Sequence, residues 1–86
     1  NVELKDAYPN PSDGYSNLDF SLPAPGQTSI VLYSILGKPV KEVLNENLQS
    51  GWHHFRVDLS ELDAGIYFYR MHYGNTERSL KVQVGK

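Results

Sequence analysis

Apolar residues occupy every second position through most of this chain, and glycine, proline, asparagine and serine interrupt the alternation at short intervals. From Leu18 onward, Leu18, Phe20 and Leu22 share one side while Asp19 and Ser21 share the other, the period of two of a half-buried strand. Pro23-Ala24-Pro25-Gly26 ends that run. Thr28 to Ile35 is rich in β-branched and aromatic residues, with Ile30 and Leu32 on one face and Val31, Tyr33 and Ile35 on the other. Being apolar on both sides, it reads as a central strand. A turn at Leu36-Gly37-Lys38 leads to a further strand carrying Val40 and Val43 or Leu44, where the change of phase predicts a bulge or an irregular edge. Gly51 opens a regular run in which His53, Phe55, Val57 and Leu59 face inward against Trp52, His54, Arg56 and Asp58. After Gly65, Tyr67, Tyr69, Met71 and Tyr73 alternate with Ile66, Phe68, Arg70 and His72. Gly74-Asn75 is a two-residue hairpin signal, and the last strand, near Thr76 to Val84, places Leu80, Val82 and Val84 on one face.

Only Pro39 to Leu48 offers a helical spacing, through Val40, Val43 and Leu44. Short strands with turns about every 8–12 residues surround it, so strand is the better assignment. The fold class that follows is all-β, an antiparallel sandwich of six or seven strands with immunoglobulin-like or fibronectin-like topology. The stretch DAGIYFY, Asp63 to Tyr69, fits the Asp-x-Gly-x-Tyr-x-Cys lead into a late strand of such sandwiches, with Tyr69 in the cysteine's place. Gly65 permits the tight turn, Tyr67 takes the position of a tyrosine corner, and Tyr69 supplies by bulk what a cystine would otherwise supply. Ahead of the first alternation, YPNPSDG sets two prolines and a Ser-Asp-Gly turn in seven residues, which favours extended or turn backbone. Residues 1–15 are therefore read as a lead-in or linker and residues 16–86 as the sandwich domain.

Eighty-six residues suit one small domain, which buries only about 60–65% of the surface of its unfolded chain. There is no cysteine, which removes a disulfide framework, a thiolate metal site and a thiol nucleophile. The net charge of −2 is scattered and Lys and Arg form no stripe, so no nucleic-acid partner is expected. No apolar run approaches the roughly 20 residues of a membrane span, and the N-terminus lacks a signal-peptide pattern. If the protein is exported, this chain is expected to be a piece of something longer.

Candidate chemistry is sparse. His53 and His54 are consecutive and face opposite ways in a strand, while His54 and His72 meet only if their strands are neighbours, with no third ligand evident. No metal and no cofactor is expected. Asp58, Glu61 and Asp63 flank a turn with no pocket between them, and the glycines are isolated turn positions that build no phosphate cradle. Nothing here reads as an enzyme. Trp52 and Phe68, with Arg56, Arg70 and His72, would form an exposed aromatic and cationic patch if the strands beginning at Gly51 and Gly65 share a sheet. Such a face suits a glycan ring or docking to a partner or neighbouring domain.

Five ordered motifs carry a resemblance: YPNP at Tyr8 to Pro11, DFSLP at Asp19 to Pro23, SIVLYSILGKPV at Ser29 to Val40, SGWHHFRVDLSEL at Ser50 to Leu62, and DAGIYFYRM at Asp63 to Met71. From about Tyr8 to Lys86 the chain resembles the C-terminal sorting domain of the type IX secretion system, and its relative, the immunoglobulin-like domain of the flagellar hook-capping protein. Ala7, Ser12 and Ser34 depart from the pattern, which more often has Asn, an aromatic and Asp at those places. The resemblance implies a non-catalytic cargo address. Cargo crosses the inner membrane by an ordinary signal peptide, and the outer-membrane type IX machinery recognises the domain folded in the periplasm. A sortase-like peptidase commonly removes it, and the cargo is released or joined to surface lipopolysaccharide. By the same analogy the recognition residues are Tyr8, Pro9, Asn10, Pro11, Gly74, Asn75, Lys81 and Lys86, and the lead-in before Tyr8 is the region of cleavage. The cargo would be an N-terminal domain of the same chain. The competing class is a carbohydrate-binding or structural accessory module of a secreted enzyme, with a flagellar cap domain as a third reading.

Overall fold

The computed structural model describes residues 1–85. Seven strands run in chain order: β1 (Glu3–Leu4), β2 (Tyr15–Leu22), β3 (Gly26–Ser34), β4 (Pro39–Leu48), β5 (Gly51–Asp58), β6 (Gly65–Tyr73) and β7 (Thr76–Val84). They form two antiparallel sheets, β1-β2-β5 and β4-β3-β6-β7, stacked as a sandwich. The β3–β4 and β6–β7 links are hairpins within one sheet, whereas β2–β3, β4–β5 and β5–β6 cross between the sheets.

The alternation in the sequence becomes the core directly. In β2, Ser16, Leu18, Phe20 and Leu22 are buried and face Ile30, Leu32, Tyr69, Met71, Val82 and Val84 of the other sheet. Phe20 stacks on Phe55 at 5.8 Å and on His53 at 5.5 Å between ring centroids, so the inward histidine is packed as an aromatic. Its Nε2 lies 2.7 Å from the Gln49 carbonyl oxygen. The expected central strand is β3, hydrogen-bonded to β4 on one side and β6 on the other. Pro39 to Leu48 is strand, with register shifts opposite Ile30/Val31 and Leu32/Tyr33 where a bulge was anticipated. Ile35, expected as the last outer-face residue of β3, lies beyond the strand's end in the turn. Gly74 has φ +57 and Asn75 has no positive φ, the pattern of a type II′ turn closing the β6–β7 hairpin.

At the start of β6 the Tyr67 hydroxyl donates to the Asp63 carbonyl at 2.8 Å, the geometry of a tyrosine corner, worth about 1 kcal/mol net. Tyr69, two residues on, is fully buried between the sheets. Its hydroxyl and that of Ser16 are sealed from solvent, neighbours out of hydrogen-bonding geometry. Burial pushes the Tyr69 phenol above its ordinary value of 10.0, and Ser16 acts in the opposite sense.

Regular structure does not wait for the end of the lead-in. Glu3 and Leu4 pair with Ser21 and Phe20, and the Lys5 N–H donates to the Asp19 carbonyl at 3.0 Å. Ala7 is only 3% exposed, as part of the core. The chain next bridges Asn17 through Tyr8, then runs parallel to β7 through a bridge between Ser12 and Val84. One segment thus covers the edge of β2 and then the end of the β7 edge in the opposite sheet. Edge pairing through backbone groups asks for no hydrophobic period, and proline is tolerated where its missing N–H would face outward.

Candidate functional site

The YPNP segment is built into the sandwich where the two sheets close on each other. Asn10 Oδ1 accepts the Gln83 N–H at 3.0 Å, and the Ser12 N–H donates to the Gln83 carbonyl at 2.8 Å. The Gly85 N–H donates back to the Ser12 carbonyl at 2.9 Å, and Ser12 Oγ lies 3.3 Å from the Gln83 oxygen it donates to. On the other flank, Tyr8 and Asn17 exchange backbone hydrogen bonds, and Asn17 Nδ2 donates to the Tyr8 carbonyl at 3.1 Å. The Tyr8-Pro9 and Asn10-Pro11 peptides are both cis. Ser12 is fully buried.

The residues expected to act in recognition are therefore not all together. Tyr8 to Pro11 lie beside Gln83 and Gly85 at the closing end of β7. Gly74 and Asn75 lie at the opposite end, because β6 and β7 pair from Tyr73↔Thr76 at the hairpin to Gly65↔Val84. Lys81 sits between, paired with Phe68 on the outer face. Lys86 lies outside the described residues.

The aromatic and cationic patch is also divided, which corrects the placement of Trp52, Arg56, Phe68 and Arg70 on one surface. β5 belongs to the three-stranded sheet and β6 to the four-stranded one, so their outward residues face opposite sides of the sandwich. His54 and His72 are separated for the same reason, and the described residues hold no cluster of three metal-ligating side chains.

On the three-stranded face, Trp52 is 55% exposed with the Lys5 ammonium 5.0 Å over its ring, and Arg56 lies 3.9 Å over Tyr15. Between them Asp19 accepts the Tyr8 hydroxyl at 2.9 Å and lies 2.6 Å from His54 Nδ1. The His54 contact first, then the Tyr8 hydrogen bond, hold the Asp19 carboxyl below its ordinary value of 3.8. A carboxyl with a depressed folded value stabilises the fold above its unfolded value, and that contribution disappears as pH falls through the folded one. Stability should therefore drop as pH falls below about 4. Asp19→Asn should remove that part of the acid-side slope, measured as urea midpoints at a series of pH values; an unchanged slope would refute it.

On the four-stranded face, the register Tyr33↔Phe68↔Lys81 makes one cross-strand row and Val31↔Arg70↔Ser79 the next. Arg70 lies 4.9 Å over the Tyr33 ring, with its Nε 3.3 Å from Glu77, which His72 also approaches at 3.3 Å. A surface depression here is lined by Tyr33, Ser34, Ile35, Gly37, Phe68, Arg70 and Ser79. Tyr33 and Ile35, the latter followed in the turn by the exposed Leu36, are the residues that sequence reading did not single out for this face. Their signal, two consecutive aliphatics inside a turn, was present.

These contacts describe a scaffold with two differently composed faces and a clamped N-terminal segment. A family model for the secretion system C-terminal sorting domain matches residues 6–85. The chain belongs to this family. Its sorting domains mark proteins for type IX secretion, which associates them with that secretion system and with a cargo region on their N-terminal side, and implies export to the cell surface or beyond. The matched span runs from Asp6 through the YPNP clamp to the end of β7, so it takes in residues 6–15 of the segment read as a lead-in or linker. Comparison with curated proteins gives no match.

Proposed function

We propose that this domain is a non-catalytic address that carries a larger cargo protein through the periplasm and across the outer membrane by the type IX machinery. The supporting observation is that the family match covers the folded unit almost end to end, and within it YPNP and the close of β7 are hydrogen-bonded into one surface. Recognition of a folded address depends on a rigid surface more than on a pocket, and a segment tied to both sheets provides one. Removal by a sortase-like peptidase fits upstream of Glu3, because residues 3–8 are bonded to β2 and must detach before a peptidase can bind them extended.

The test is a fusion of a signal peptide, a reporter and this chain in a bacterium that has the type IX system. The reporter is expected at the cell surface or in the medium, and to stay in the periplasm in a strain without the machinery. Retention in the periplasm of the competent strain would overturn the proposal.

A further inference from the structure

The β3–β4 turn displays apolar side chains where hairpin turns are ordinarily polar. Ile35 is 65% exposed and Leu36 83%, the two most exposed large hydrophobics among the described residues. The turn carrying them is held stiffly. The Ser34 N–H donates to the Lys38 carbonyl at 2.8 Å and the Gly37 N–H to the Ser34 carbonyl at 2.9 Å. Ser34 Oγ accepts from the Leu36 and Lys38 N–H groups, each at 3.3 Å, and Gly37 takes the left-handed φ of +84 that closes the turn. Ser34 is thus an internal brace, and two aliphatic side chains project from a preorganised loop.

Ile35 lines the depression that includes Tyr33, Phe68 and Arg70, so the apolar surface runs from the turn onto the sheet face, with Leu36 next to Ile35 in the turn. The unpaired charge around it is cationic, Arg70 in the depression being met by Glu77 at 3.3 Å. No carboxylate lines the depression, Lys38 is in the turn, and Lys81 pairs with Phe68. Among the described residues neither lysine is in an ion pair, although the whole chain is net negative. The turn is also far from where a preceding cargo region would join, because Glu3 pairs with Ser21 near the end of β2 whereas the turn lies past the far end of β3.

We infer that the Ile35-Leu36 turn, with Tyr33 and Phe68 behind it, is a docking knob for a separate protein that presents an apolar pocket rimmed by carboxylates. A rigid knob binds with little ordering cost, and the lysines favour an acidic rim and disfavour a basic one. Given the proposed function, on which this assignment rests, the partner is a component of the secretion machinery, met by the end of the domain that points away from the cargo.

The same reporter fusion tests it, carrying Ile35→Ser/Leu36→Ser, the milder Leu36→Ala, Lys38→Glu/Lys81→Glu, or Trp52→Ala on the opposite face. The expected result is a fall of about tenfold or more in exported reporter for the serine and glutamate pairs, a smaller fall for Leu36→Ala, and no change for Trp52→Ala. Urea midpoints of the purified chains should stay close to the parent value, and Leu36→Ala keeps the test valid should the serine pair fail to fold. Export of the parent fusion with equal export of the apolar variants overturns this inference and leaves the sorting function standing. Failure of the parent fusion itself overturns both. Normal export of the glutamate pair beside failed apolar variants overturns the acidic rim. A concentration-dependent dimer in sedimentation, abolished by Leu36→Ala, overturns the separate partner in favour of a second copy of this chain.

Discussion

Replacing Tyr69 with alanine is expected to cost about 3–5 kcal/mol, the range for deleting a buried aromatic, read as a large fall in the urea midpoint with little change in slope. A domain of this length has roughly 4–13 kcal/mol in total, so the variant should be marginal at room temperature. Tyr69→Phe is expected to behave in the opposite way. The hydroxyl is fully buried without a hydrogen bond, so removing it relieves a desolvation cost and should leave stability unchanged or raised by up to about 1 kcal/mol. Ser16→Ala together with Tyr69→Phe removes both unsatisfied hydroxyls and should be at least as stable. The pair of results separates the bulk of the ring, buried between the sheets, from the polarity of its hydroxyl. A loss above about 2 kcal/mol in Tyr69→Phe would show that the hydroxyl is bonded after all.

The second large effect concerns the N-terminal segment. Deleting residues 1–12 removes β1, Ala7 from the core, and the hydrogen bonds that join Asn10 and Ser12 to Gln83 and Gly85. The expected loss is about 2–4 kcal/mol, with concentration-dependent association in sedimentation, because the edges of β2 and β7 lose their cover together. Removing only Asn1 and Val2, which pair with no strand, should cost under about 1 kcal/mol. If both truncations unfold at the same urea concentration as the parent, the segment is a linker after all.

That contrast also explains what could be read in the chain. The strands β2, β5, β6 and β7 announce themselves because each buries one face, so side chains of period two record the burial, as Leu18, Phe20 and Leu22 do. The tyrosine corner was equally legible, since Gly65 and Tyr67 act over four residues and need no distant partner. β1 was not, because two residues held by backbone hydrogen bonds leave no side-chain period. Nor was the clamp: Asn10 and Gln83 are 73 positions apart, and nothing local to either specifies the other.

The candidate surfaces divide along the same line. Alternation within a strand states which residues point outward together, so Trp52 with Arg56 and Phe68 with Arg70 were correctly grouped as neighbours along their own strands. Whether β5 and β6 lie in one sheet or two is decided by the crossing connection between them, and the choice leaves no mark on either strand's pattern. By itself, then, the sequence determined the strands from β2 onward, the inward faces of the alternating ones, the turns and the family. Tertiary structure alone decided that Phe68 stands beside Tyr33 and Lys81 and away from Trp52, and that YPNP joins two sheets, because pairing between strands is a long-range backbone contact that side-chain periodicity does not encode.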